Sequence, residues 1–245
     1  MRDTASHTLK SKDAWPMPLL PRRFDRLKAV LDCRMADLTV LLEHVEKPHN
    51  LSAILRSCDA VGVLEAHAVN YSGRLPTFNS TAQGSQKWIP LKEHSSIEVA
   101  VKAIKDSGFR LYGTHLGGNA RDYRDCDFCE PTAFVLGAEK WGLSKLATPL
   151  MDEGIFIPMS GMVQSLNVSV AAATLLFEAL RQRRLAGIAP QAGEGLEPAL
   201  YQQRLFEWAY PEVAAWCQQE GKSYPALNDQ GEIQGSLPRN VRLRC

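Results

Sequence analysis

Residues 155–182 read IFIPMSGMVQSLNVSVAAATLLFEALRQ, and the way this stretch divides decides the fold. Ile155 to Met159 is a short apolar run suited to a buried strand, and Asn167 to Leu185 carries the spacing of the longest helix in the chain. Asn167 stands where a helix N-cap belongs, because its carboxamide oxygen accepts from the first orphan backbone amides. Between the two, residues 159–167 crowd Ser160, Gly161, Gln164, Ser165 and Asn167 into one loop. Capping accounts for Asn167 but not for the other polar groups between two apolar elements.

Outward from there, the alternation of strand and helix continues. LTVLLEHV (38–45), AHAV (66–69), FRLYGTHL (109–116) and TAFVLG (132–137) read as strands. Residues 51–61, capped by Asn50 or Ser52, and residues 97–106, ended by Gly108, read as helices. Strands separated by helix-length segments predict an α/β fold with a mostly parallel sheet and helices on both faces. In such sheets the ligand sits beyond the carboxyl ends of the strands. Three loops fall on that edge: KPHN (47–50), LGAEKWG (136–142) and PMSGMVQSLN (158–167).

The flanks differ from this core. Residues 1–20 are polar and broken by Pro16 and Pro18, and residues 22–36 carry a helical period with Phe24, Leu27, Val30 and Leu31 on one side. Beyond Gly187 the pattern weakens through APQAGEGLEP into a helical stretch at 199–220 and a Gly- and Pro-punctuated tail. The expected organisation is a basic arm and helix (1–36), one large domain (37–187) and a C-terminal helical extension (188–245).

With 245 residues, 45% hydrophobic and 22% charged, the chain can bury a full core, which excludes disorder and collagen-like structure. The formal net charge of +1 lacks the wholesale basic excess of many nucleic-acid binders, yet it conceals a segregation. Residues 1–30 hold seven basic and three acidic side chains, residues 31–180 hold 13 and 17, and the remainder eight and seven. The basic arm, the run Arg181, Arg183, Arg184 and the end Arg239, Arg242, Arg244 could grip phosphates locally, and each alone equally suits a solvated surface. No apolar stretch is long enough for a bilayer and no secretory signal is evident, so the expected setting is the cytoplasm, with no membrane partner. Six cysteines in a chain this long predict reduced thiols. Cys126 and Cys129 form a lone C-x-x-C with no second pair, so no metal site is expected.

A parallel sheet suggests a nucleotide-like ligand, but neither G-x-G-x-x-G nor a Walker sequence is present, which disfavours a pyrophosphate cradle and a nicotinamide oxidoreductase. Gly137 and Gly142 flank a turn containing Glu139 and Lys140; the glycines serve turn geometry or the close approach of a flat ligand. Arg56 lies one and a half turns beyond Asn50 on an otherwise apolar helix, and read alone it is an ordinary exposed arginine.

Taken together, EKPHNLSAILRSCDAVG (46–62), FVLGAEKWGLS (134–144) and the stretch at 155–182 closely resemble, in that order and spacing, the three signature motifs of the SpoU branch of the SPOUT methyltransferases. The likeness spans about residues 38–187. The short N-terminal helix, GMVQSLNVSVAAA and the late YPALNDQGEI look most like the TrmH subfamily, whose members methylate a guanosine ribose 2′-oxygen of tRNA.

That resemblance implies a deep C-terminal trefoil knot around the second and third motifs, S-adenosylmethionine as cofactor, tRNA as partner, and a homodimer with the first-motif arginine meeting the knot across the interface. Matched position by position, cofactor contacts fall on Thr114, Leu136, Gly137, Ile157, Met159 and Leu166, and the catalytic positions on Arg56, Asn50, Glu139, Ser165 and Asn167. A guanidinium keeps its proton near neutral pH, so Arg56 suits phosphate binding and alkoxide stabilisation better than general base catalysis. Candidate RNA contacts are Arg22, Arg23, Arg26, Lys28, His49, Arg181 and Arg184. The implied reaction is methylation of the D-loop guanosine at position 18; ribosomal RNA ribose methylation is the alternative within the class, and a non-catalytic RNA-binding module the alternative outside it.

Overall fold

The computed structural model describes residues 19–69, 87–114, 119–138, 141–191 and 194–235. In chain order its elements are α1 (Pro21–Leu31), β1 (Leu38–Glu43), α2 (Pro48–Val61), β2 (Ala66–Val69), β3 (Leu91–His94), α3 (Ile97–Asp106), β4 (Arg110–Thr114), β5 (Arg121–Asp122), β6 (Thr132–Leu136), β7 (Glu153–Phe156), α4 (Val168–Leu185), α5 (Pro198–Ala209) and α6 (Pro211–Gln219). They form two compact units, one of Asp32–Glu197 and one uniting the described parts of Met1–Leu31 and Pro198–Cys245. The N-terminal arm before Leu19, the end of FRLYGTHL, and Arg239, Arg242 and Arg244 lie outside the described residues.

The larger unit is built on a seven-stranded sheet in the order β3-β2-β1-β6-β4-β7-β5, with every described pairing parallel. Side chains alternate across it as strand geometry requires. Val40 and Leu42 of β1 join Phe134 and Leu136 of β6 in the core that contains residues of α2 and α4, while Leu41, Ala133 and Val135 join α3 in a second core. Helices therefore cover both faces, as the alternating pattern predicts.

Four local readings are corrected. Helix α2 begins at Pro48, whose ring presets the helical φ, so Asn50 lies inside the first turn, itself buried, and neither it nor Ser52 is the cap. Strand β1 stops at Glu43 because His44 turns into the left-handed region (φ 56°). The helix expected over 199–220 breaks at Tyr210 (φ −136°), since Pro211 lacks an amide hydrogen and disfavours helical backbone before it. Arg183, expected in a phosphate-gripping run, is 1% exposed and donates to the carbonyls of Phe128 (2.9 Å), Glu130 (3.0 Å) and Asp37 (3.1 Å) and to the Asp37 carboxylate (2.5 Å). Strands β3 and β5 escaped the sequence reading: LKEH has almost no apolar signature and β5 has two residues.

In the smaller unit, Phe24, Leu27 and Leu31 bury the apolar side of α1, which packs on α5. Leu205, Phe206, Trp208 and Ala209 are the buried residues of α5, and Val213, Ala214 and Cys217 those of α6.

Candidate active site

Strands β6, β4 and β7 lie side by side, and the chain leaving their carboxyl ends encloses a cavity of about 600 Å³. Its wall includes Thr114 at the end of β4, Leu136, Gly137 and Ala138 at the end of β6, and Ile155, Ile157 and Met159 from β7 onward. The polar loop contributes Gln164, Ser165 and Leu166, and α4 contributes Val168 and Ala171. This is the edge where a parallel sheet places its ligand. The structure thus brings Thr114, Leu136, Gly137, Ile157, Met159 and Leu166 together around one space, with Ser165 beside them.

The turn after β6 requires its glycines. A Cβ on Gly137 would lie 2.1 Å from the carbonyl carbon of Gly142, so the chain crosses itself there without room for a side chain. Gly142 takes φ 65°, and the crossing is closed by Ala138 N donating to Gly142 O (3.0 Å) and Gly142 N donating to Ala138 O (2.8 Å). Just beyond, the backbone amide of Ser144 donates to the fully buried Glu43 carboxylate (2.9 Å), which ties the returning loop to the end of β1. Sequence reading passed over Glu43; its signal was a lone acidic side chain inside the apolar run LTVLLEHV.

Asn167 reaches in two directions. Its Oδ1 accepts from the amide (2.8 Å) and hydroxyl (2.6 Å) of Ser169, which makes it the N-cap of α4, and its Nδ2 donates to Oδ1 of Asn50 (3.1 Å). The first and third loops are thereby joined. Arg56 is exposed and is absent from the lining of this cavity. Cys58, two residues on, faces the core, where burial pushes its thiol up to about 12, so it is no nucleophile. Glu139 lies outside the described residues.

The remaining candidates are surface groups. His49, Arg181 and Arg184 are exposed in the larger unit, Arg181 pairing with Glu178 (2.7 Å). Arg22, Arg23, Arg26 and Lys28 are exposed on α1 in the smaller unit. Cys126 and Cys129 are free thiols whose burial raises both, and among the described residues no group of three or more metal-ligating side chains is arranged to hold an ion.

The SpoU rRNA Methylase family matches residues 37–177, and the SpoU rRNA methylase C-terminal family matches residues 181–236. A tRNA (guanosine(18)-2′-O)-methyltransferase of Thermus thermophilus is 57% identical over 183 residues, covering 75% of this chain and 93% of that protein. Among solved structures, the Aquifex aeolicus TrmH/SpoU tRNA modifying enzyme is 38% identical with a TM-score of 0.73, over 78% of this chain and 97% of that one. The SpoU methyltransferase AviRb from Streptomyces viridochromogenes, solved in complex with AdoMet, is 32% identical with a TM-score of 0.55, over 62% of this chain and 59% of that one. With the family match running through the whole sheet, the cavity wall and the first loop joined to it by Asn50, the chain belongs to the SpoU rRNA Methylase family.

Proposed function

We propose that this protein is an S-adenosylmethionine-dependent RNA methyltransferase acting on the ribose 2′-oxygen of guanosine 18 in tRNA. The observation that carries the reading is the cavity at the ends of β6, β4 and β7, whose wall includes all six residues that the resemblance assigns to the cofactor. Its volume falls in the range of roughly 300–1,000 Å³ usual for small-molecule sites. Leu136, Ile157 and Leu166 provide apolar walls for a flat ring, and Thr114, Gln164 and Ser165 bring polar side chains to the same wall, a set that suits an adenosine-containing ligand. Thr114, Leu136, Gly137, Ile157, Met159 and Leu166 would hold the cofactor, which supplies an electrophilic sulfonium methyl group when bound.

The chain's own residues then do the positioning. Arg56 binds the phosphate next to the acceptor ribose and stabilises negative charge as it develops on the 2′-oxygen. The Asn50–Asn167 hydrogen bond fixes the first loop against the third, Ser165 orients the ribose, and Glu139 orients Arg56. Because Arg56 does not line its own chain's cavity, the reading includes a homodimer in which it serves the partner's. Val170 and Phe177, exposed and seven residues apart on α4, and exposed Met162 and Val163 supply an apolar surface for that contact. The reading also includes a deep trefoil knot, supported by β6 inserting between β1 and β4 and by the tight crossing at Gly137. Phosphate contacts are assigned to Arg22, Arg23, Arg26, Lys28, His49, Arg181 and Arg184. The protein would work in the cytoplasm; no described helix is long and apolar enough to cross a membrane.

The test is to incubate unmodified tRNA transcript with enzyme and methyl-labelled S-adenosylmethionine, digest it and identify the product. Expected is 2′-O-methylguanosine from position 18. A methylated base, or label entering ribosomal RNA fragments in preference to tRNA, overturns the assignment.

A further inference from the structure

The smaller unit holds a cavity of about 730 Å³ that methyl transfer leaves unexplained. Phe206 of α5 and Tyr224 form part of its wall, their rings stacked at 4.9 Å and 15°. The carboxamides of Gln202, Gln203 and Gln218 and the ammonium of Lys222 belong to residues lining the same space. Tyr224 is held in place by its hydroxyl, which accepts from Gln218 Nε2 (2.6 Å) and donates to Glu207 (3.0 Å).

Beyond Ser223, the rest of the wall, residues 225–227, comes from YPALNDQGEI, a segment to which the methyl-transfer site gives no task. It is built to be rigid. Asn228 Oδ1 accepts from the amides of Gln230 (3.0 Å) and Glu232 (2.8 Å), its own amide donates to Glu232 O (2.9 Å), and Gln234 N donates to Ala226 O (2.8 Å). Tyr210 Oη donates to Gly231 O (2.8 Å), and Gly231 takes φ 80° with its α-carbon so close to Phe24 that a Cβ would lie 2.5 Å from the ring. Ordering a segment near a chain end costs conformational entropy, and what this ordering produces is a fixed cavity wall.

We propose that this cavity takes one unpaired nucleotide of the RNA substrate, away from the methylated residue; the inference rests on the reading that the substrate is RNA. Carboxamides carry donor and acceptor side by side and match the edges of an unstacked base. Half-buried Tyr224, backed by the buried Phe206 ring, gives a base a stacking surface, and the Lys222 ammonium, 4.7 Å from the Trp216 ring centroid, takes the adjoining phosphate. The same unit presents Arg22, Arg23, Arg26 and Lys28 on α1, which attracts a polyanion rather than a neutral ligand.

The experiment measures tRNA binding by fluorescence anisotropy, without methyl transfer, for the full-length protein and for Gln202→Ala/Lys222→Ala and Lys222→Arg. The double variant should bind about tenfold more weakly, with a flatter salt dependence because one phosphate is no longer neutralised, while Lys222→Arg stays near the parent. S-adenosylmethionine affinity should not move, and the thermal midpoint should fall only by the small loss of the Lys222–Trp216 contact, which separates this site from a merely structural role. Photo-crosslinking with 4-thiouridine-containing tRNA should place adducts within residues 202–227. Unchanged affinity in the double variant, or adducts confined to the larger unit, overturns the cavity assignment. If the parent methylates ribosomal fragments instead of tRNA, the tRNA reading falls by itself, and the same variants on that RNA decide the cavity.

Discussion

Arg56 and Asn50 leave one helix in different surroundings. Asn50, in the first turn, is buried and bonded to Asn167; Arg56, one and a half turns later, is exposed. Arg56→Ala should therefore lower methyl transfer at least about a hundredfold, the usual cost of losing a donor that meets developing charge, while leaving cofactor affinity unchanged. Single-turnover rates and calorimetry on the same variant check this, and loss of cofactor binding in a folded protein would move Arg56 into the pocket. His67 gives a second residue-scale expectation. It is 8% exposed, with Nδ1 2.9 Å from Nε2 of His94, and burial brings its imidazole down to about 4; Glu65 pulls upward, while His94 and Lys92 add to the fall. An unfolded imidazole takes its proton near 6.5, so between those values the unfolded chain binds more protons. The stability due to neutral His67 is complete above about pH 6.5 and is lost as pH falls through 4, up to about 3 kcal/mol. Denaturant titrations at pH 7 and 4.5 should show the drop, and His67→Gln should reduce it.

At the scale of elements, the turn after β6 depends on a missing side chain. Gly137→Ala would drive a methyl group into the carbonyl of Gly142, so the two hydrogen bonds at Ala138 should open and cofactor affinity should fall at least tenfold by calorimetry. Affinity equal to the parent's would show that the crossing can relax. This turn also marks how far the sequence could be read. Strands such as TAFVLG and the helix after Asn167 were legible because burial on both faces leaves an uninterrupted apolar run and a cap leaves its own signature. The gathering of Thr114, Leu136 and Ile157 around one cavity was reachable only through motif resemblance, since strand order is set by pairings between residues distant in sequence. Arg183 was misread for a related reason: a basic run looks solvated until packing shows that one member reaches the carbonyls of Phe128 and Glu130. Asn50 looked like a cap because its type is right, and Pro48 takes the helix start away from it.

For the whole molecule, the charge segregation and the position of Arg56 lead to two expectations. Changing Arg22, Arg23, Arg26 and Lys28 together to Ala should weaken tRNA binding and lower the slope of log affinity against log salt by roughly 0.7–0.9 for each phosphate left without its cation. An unchanged slope would confine α1 to packing.

Shared sites give the sharper test. A two-fold dimer makes the same contact twice, so if Arg56 of one protomer completes the cavity of the other, each site draws on both chains. An Arg56→Ala protomer keeps a sound cavity. A Leu166→Trp protomer, its cavity filled by the larger ring, keeps a sound Arg56. Homodimers of either variant should be inactive. In a purified mixed dimer the sound cavity faces the sound arginine, and one working site out of two should return, giving about half of parental activity. If Arg56 serves its own chain's cavity, every site in the mixed dimer carries a defect and no activity returns. Sedimentation should first show that the parent and both variants are dimers, and a fully active monomer would remove the cross-subunit arrangement altogether.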